Sequence, residues 1–176
     1  MKWTIAFLLI VFSQSFSAQQ GYPEDVVIWD SAGKLKDSFV IQDIYFNYDK
    51  GELVSYPFGA IDSMVVVEMY ARLDTVAQLL KDDGGLFEVR VHTDCRGSNM
   101  YSRCLSCRRA KTIRDYFVKK GLMEDRITDK GYSETQPRMH SGKLLTCEYI
   151  SSHKTKQEQE MMHQFNRRVE IVRIKQ

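Results

Sequence analysis

No cysteine precedes Cys95 in this chain of 176 residues, so the segment after its start offers no thiol for lipid attachment of the bacterial lipoprotein type. The apolar run from Trp3 to Phe12 falls short of the roughly 20 residues that a membrane-spanning helix needs. No lysine or arginine block with interleaved aromatics is present, which discounts nucleic acid as a partner; the net charge of +2 argues neither way on polyanions. No Ser-His-Asp or paired-carboxylate constellation is legible, so nothing points to catalysis or requires a cofactor.

The composition is otherwise that of a globular protein, 43% hydrophobic and 27% charged, with room for one domain of ordinary size. Lys2, the apolar run and the small residues Ser15, Ser17 and Ala18 read as a secretory signal peptide over residues 1–18, cleaved after Ser17 or Ala18. A short leader, 19–39, follows. Its VVIW at 26–29, a turn at 30–33 and KLKDSFVI read together as a hairpin, far too little for a transmembrane barrel.

The most informative stretch is HTDCRGSNMYSRCLSCRRA, from His92 to Ala110. Ahead of it, Phe87, Val89 and Val91 alternate with Glu88, Arg90 and His92, the period of a half-buried strand that delivers Asp94 to its end. Arg96 to Asn99 are turn and N-cap material, and an apolar repeat through Leu105, Ile113, Tyr116 and Phe117 then predicts a helix stopped by Gly121. At about 100° per residue Arg109 lands inside the apolar arc, with Ser102 and Ser106, while Arg103, Lys111 and Arg114 fall on the far side. A guanidinium on the inner arc needs an anion or several hydrogen bonds, supplied either by its own fold or by a ligand.

These residues resemble the OmpA-like C-terminal domain, the peptidoglycan-binding module shared with Pal lipoproteins and MotB stators. The family signature runs GHTD, two residues, G, then YN, two residues, LS, two residues, RA. Here the chain has VHTDCRG, YS, RC, LS, CR and RA, with Val91 for the glycine and Ser102 for the asparagine. IYFNYD at 44–49, Gly131-Tyr132, Pro137 and NRRVEI at 166–171 extend the likeness over roughly residues 40–175. The resemblance implies that Asp94 and Arg109 hold the free end of a diaminopimelate side chain in a peptidoglycan stem peptide. An ammonium and a carboxylate on one carbon call for an acceptor anion beside a planar donor fork, and an aspartate with an arginine supplies both. It also implies that Asp49, Asn166 and Arg167 line or buttress that pocket; a turn-forming Asp49 and a surface-charged strand start at Asn166 and Arg167 are the alternatives.

The fold expected is an α+β sandwich, one mixed sheet with helices on one face, in βαβαβ order with an extra helix before the final strand. Ile44, Phe46 and Tyr48 alternate as its first strand, and Tyr56 to Met64 reads as a linker or helical lead-in. Met69, Leu73, Val76, Ala77 and Leu80 recur at helical spacing and mark a core stripe. The domain is placed at 40–176, with an insertion at about 138–165 longer than the family's usual loop, whose KTKQEQEMMHQF reads as a polar helix.

Cys95, Cys104, Cys107 and Cys147 make an even count in an exported chain, which favours disulfides; four cysteines allow three connectivities. Cys104 and Cys107 face away from the core, so partners at Cys95 and Cys147 are expected, stapling the insertion beside the pocket. CLSC is also a CxxC, although it lies inside the helix rather than at its N-terminus, and no standard zinc spacing is met, so no metal is expected. The function expected is non-catalytic binding of the stem peptide in the periplasm, free or held at the outer membrane, with an envelope protein as a partner for the leader. The alternatives are an assembly protein that keeps the fold without the ligand, and a thiol-disulfide protein using Cys104 and Cys107.

Overall fold

The computed structural model describes residues 30, 34–55 and 63–175; the expected signal peptide, the VVIW strand and most of the lead-in at 56–62 lie outside them. Strand β2 (Leu86–His92) keeps the expected alternation, with Phe87, Val89 and Val91 at most 2% exposed. It pairs in parallel with β3 (Ile127–Ser133) and antiparallel with β6 (Arg168–Lys175), and β6 pairs antiparallel with β1 (Ser38–Ile41). The result is a mixed sheet in the order β1-β6-β2-β3.

Two helices cover one face. From α1 (Ser63–Asp83), Met69, Leu73, Val76 and Leu80 enter the core; from α2 (Asn99–Lys119), Ala110, Ile113 and Phe117 meet Phe39, Phe87, Val89 and Ile171. The apolar spacing explains both faces, and capping explains the ends. Ser98 Oγ accepts from Tyr101 N at 3.3 Å to start α2, while Gly84 and Gly121, at φ 84° and 92°, take up the left-handed conformation that follows each helix. The α+β sandwich is therefore as the sequence indicates. Among the described residues no helix is long and apolar enough to cross a membrane.

The first strand is a correction. Ser38–Ile41 forms it, across the boundary placed between leader and domain at 39 and 40, whereas 44–48 contributes one isolated bridge, Phe46 to Leu53. Phe39, Val40 and Ile41 are all buried, so β1 shows a continuous apolar run rather than alternation.

The other face of the sheet carries a ladder of polar groups. His92 is buried, stacks on Tyr132 at 5.2 Å and places Nε2 3.3 Å from Glu170 Oε2. Burial draws His92 toward its neutral form. Burial also pushes the Glu170 carboxyl up, but the His92 contact and the Arg168 guanidinium outweigh it and hold the carboxyl at about 2.

Between β3 and β6 lies the segment expected to be an insertion: the two-residue strands β4 (Met139–His140) and β5 (Lys143–Leu144), then α3 (Cys147–Ser151) and α4 (Lys156–Asn166). Its own core is Leu145, Ile150 and Met162, with Tyr149 and Phe165 packed against them. The polar helix expected here is α4, started by a reciprocal capping box between Thr155 and Glu158. The cysteine pairing differs from expectation. Cys95 is bonded to Cys147, with Cα atoms 6.0 Å apart, and Cys104 and Cys107 are exposed free thiols. The helix-face reading was sound, since both point to solvent; that direction also takes them away from the loop they were expected to reach.

Candidate functional site

Asp94 is set by the end of β2. The register with β3 shifts between Val91 and His92, opposite Gly131 and Ser133, and Thr93 N then donates to Ser133 O at 2.9 Å. This bulge turns the chain out of the sheet and presents the next side chain at its rim. The Asp94 carboxylate is 13% exposed and accepts from Arg96 Nε and Nη2 at 3.0 and 2.6 Å, Arg96 N at 3.2 Å and Arg167 Nη1 at 2.6 Å. Burial raises its pKa, but the bonds from Arg96 and Arg167 outweigh burial and keep it below the usual carboxylate range. Glu160 of α4 completes a ring, accepting from Arg96 Nη1 and Arg167 Nη2 at 2.7 Å each. Two carboxylates and two guanidiniums thus neutralise one another, and Gln164 adds a bond to Arg167.

Arg109 is set by how closely α2 approaches β3. A Cβ on Gly131 would lie 2.3 Å from Cys107 N, so only glycine lets the helix in. Ser106, fully buried, fixes the register by accepting from Ser133 N at 3.1 Å. One turn on, the half-buried Arg109 guanidinium lies over the Phe46 ring, 4.8 Å from its centroid, and donates Nε to Lys50 O at 3.1 Å. Its two terminal nitrogens have no partner among the described residues. Burial draws its pKa down, and Tyr101, Arg167, Asp49 and Asp94 are all near enough to act on it electrostatically.

The third part is the turn 47–52, closed by Asn47 N to Glu52 O at 2.9 Å and Lys50 N to Asn47 O at 3.0 Å. Asp49 sits at its tip at φ 56°, a conformation that aspartate tolerates, and accepts from Tyr101 Oη at 2.5 Å. That bond raises the Tyr101 pKa.

Four of the residues expected at the site, Asp94, Arg109, Asp49 and Arg167, thereby lie within electrostatic reach of one another, between the end of β2 and the middle of α2. The fifth, Asn166, is 4% exposed, and both ends of its amide are spent: Oδ1 accepts from Arg138 N at 2.9 Å and Nδ2 donates to Leu145 O at 2.8 Å. It anchors the segment between Arg138 and Leu145, and it lies in the lining of the cleft at Cys95. Arg167 meets Asp94 but is part of the ionic ring. Sequence reasoning missed Arg96, Glu160, Phe46 and Tyr101. For Tyr101 and Arg96 a signal existed, since both stand within the quoted motif; for Glu160, 64 residues from Arg96, none did. Among the described residues no group of three or more His, Cys, Asp or Glu side chains is placed to hold a metal.

The family model described as the OmpA family matches residues 64–144. Outer membrane protein A of Escherichia fergusonii is 33% identical over 95 residues, 54% of this chain and 35% of that protein. The chain spans between 10% and 36% of the length of the curated relatives it matches. Among solved structures, the cell wall anchor of the T6SS from Pseudomonas aeruginosa is similar at TM-score 0.53 and 20% identity, covering 79% of this chain and 80% of that one. The peptidoglycan-associated lipoprotein from Burkholderia pseudomallei is similar at TM-score 0.51 and 19% identity, covering 78% and 89%. At those identities the likeness is one of fold.

Proposed function

Because residues 64–144 match the OmpA family model, we propose that the chain binds peptidoglycan without chemical turnover, holding the ammonium-carboxylate end of a diaminopimelate side chain between Asp94 and Arg109. The observation that carries this reading is the contrast among guanidiniums. Arg96 and Arg167, which surround Asp94, each meet a carboxylate within 4 Å, whereas the half-buried Arg109 meets none among the described residues and has only an aromatic face and one carbonyl. A partly desolvated fork with two idle donors is suited to a bidentate carboxylate. Asp94 beside it accepts the ammonium, which replaces one of the bonds now made by the 51%-exposed Arg96. Asp49 and Tyr101 close the other side. The fold of the peptidoglycan-associated lipoprotein and of the cell wall anchor is in keeping with such a role, in the periplasm and with an envelope partner for residues 19–39.

The test is co-sedimentation of the purified protein with sacculi, alongside Asp94→Ala and Arg109→Ala, with free meso-diaminopimelate as competitor. Binding by the parent, loss of at least about tenfold in each variant and release by the competitor are expected. One observation favours a second reading, an assembly protein that keeps the fold without the ligand: Asp94 is already bonded to two arginines. A parent that leaves sacculi in the supernatant selects that reading.

A further inference from the structure

Two clefts of about 350 Å³ each open beside the proposed site, and they differ in charge. One begins at Cys95, next to Asp94, and runs under the disulfide past Glu134, Thr146 and Glu148; its lining holds two carboxylates and no cation. The other begins at Lys50 and Arg108, next to Arg109, and is walled by Gly51, Glu52, Lys111 and Asp115. Here Lys111 is bonded to Asp115 at 2.6 Å, and Asp115 is shared with Arg114 at 2.9 Å. The Lys50 ammonium and the Arg108 guanidinium have no ion pair or side-chain hydrogen bond among the described residues. Both are tied to the site by the backbone: Lys50 O holds Arg109 Nε, and a Cβ on Gly51 would come within 2.8 Å of Arg108 Cβ, so the turn rests directly on the helix.

We propose that the Lys50–Arg108 cleft is a second subsite, taking a carboxylate of the stem peptide other than the one on the diaminopimelate end. The inference rests on the peptidoglycan reading and adds a direction to it. A stem peptide is acidic beyond its diaminopimelate terminus, so once that terminus is seated the remainder must leave along one flank. The flank at Glu134 and Glu148 repels it. The flank at Lys50 and Arg108 meets it with two uncompensated cations, one a planar fork. Glu52 and Asp115 offset two of the three cations in the lining, and one positive charge remains. Both cations are exposed, so the gain is that of a solvated ion pair rather than of a buried one.

Titration calorimetry on the full chain with two probes tests this: free meso-diaminopimelate, and a tetrapeptide stem whose carboxylates, other than the one at the diaminopimelate end, are free or converted to amides. Lys50→Gln with Arg108→Gln together should weaken the free-acid tetrapeptide roughly three- to tenfold. They should leave diaminopimelate unchanged, and amidation should remove the difference between parent and variant. An equal loss for both probes would mean that the turn merely supports Arg109, and overturns the subsite. So does no loss for either. A parent that binds neither probe overturns the peptidoglycan reading and the subsite with it, whereas a parent that binds diaminopimelate with an unaffected double variant overturns the subsite alone. Unchanged thermal melting of the double variant excludes unfolding as the cause.

Discussion

The sheet and its two helices bury nineteen apolar residues in one cluster among the described residues; the insertion buries three, Leu145, Ile150 and Met162. Burying three such side chains contributes roughly 5–9 kcal/mol, well below the conformational entropy of ordering a segment running from Arg138 to Phe165. Hydrophobic burial therefore holds the first region and cannot by itself hold the second. What holds the insertion is a set of discrete ties: the Cys95–Cys147 bond and the ionic ring through Glu160 join it to the rest of the molecule, and the two hydrogen bonds of the Asn166 amide clamp its end to its own start. Two of those three ties end within two residues of Asp94. The insertion thus depends on the site loop for its order, and the site loop depends on the insertion for its geometry.

The largest effect that separates the regions should come from Leu73→Ala. Leu73 is fully buried in the main cluster, and its truncation should cost about 2–5 kcal/mol of global stability. Chemical denaturation checks this, and the midpoint should fall with the slope preserved. A loss confined to the insertion would show that the two regions share one core after all.

Next comes the disulfide. Cys95 and Cys147 close a loop spanning 52 residues, for which chain entropy suggests about 4 kcal/mol. Replacing both by alanine should free the insertion first. Hydrogen exchange of the amides around Ile150 and Met162 should rise toward that of an unprotected chain, while those of Phe87 and Val89 change little. Cys104→Ser with Cys107→Ser, which touches neither core nor tie, should leave both sets as they are.

The sequence revealed this division unevenly. Helix α2 and strand β2 were legible because each has one wet and one dry face, and periodicity reports such faces directly. Strand β1 was legible only as an arm of a leader hairpin, within KLKDSFVI, and not as the first strand of the sheet, since Val40 is buried as well as Phe39 and Ile41, and a run dry on both sides has no period. The rival strand at Ile44 and Phe46 looked periodic because those side chains pack on the rim of the core from a turn. At the site, Asp94 and Arg109 came from the motif, and nothing in the spacing located Lys50 O or Phe46 against the guanidinium. The cysteine faces could be read, but their pairing depends on where the 138–165 segment folds back, which no local pattern encodes.

The smallest effect concerns acid. Asp94 and Glu160 both have folded pKa values below their unfolded ones: in each case burial raises the value, and the arginine bonds outweigh burial and lower it. Their contribution is therefore complete above about pH 4–5, where the unfolded carboxylates are already ionised, and is lost as the pH falls through the folded values. Glu160 is 53% exposed, so its share through Arg96 and Arg167 is under about 1 kcal/mol. Glu170 behaves the same way on the sheet, with its loss extending down toward its folded value of about 2. Following hydrogen exchange from pH 5 to pH 3 separates the two. Protection in α4 should fall over this range in the parent and already be lowered at pH 5 in Glu160→Gln, whereas β2 should show the same acid dependence in both proteins. If α4 in Glu160→Gln matches the parent at every pH, the ionic ring is ornamental, and the insertion rests on the disulfide and Asn166 alone.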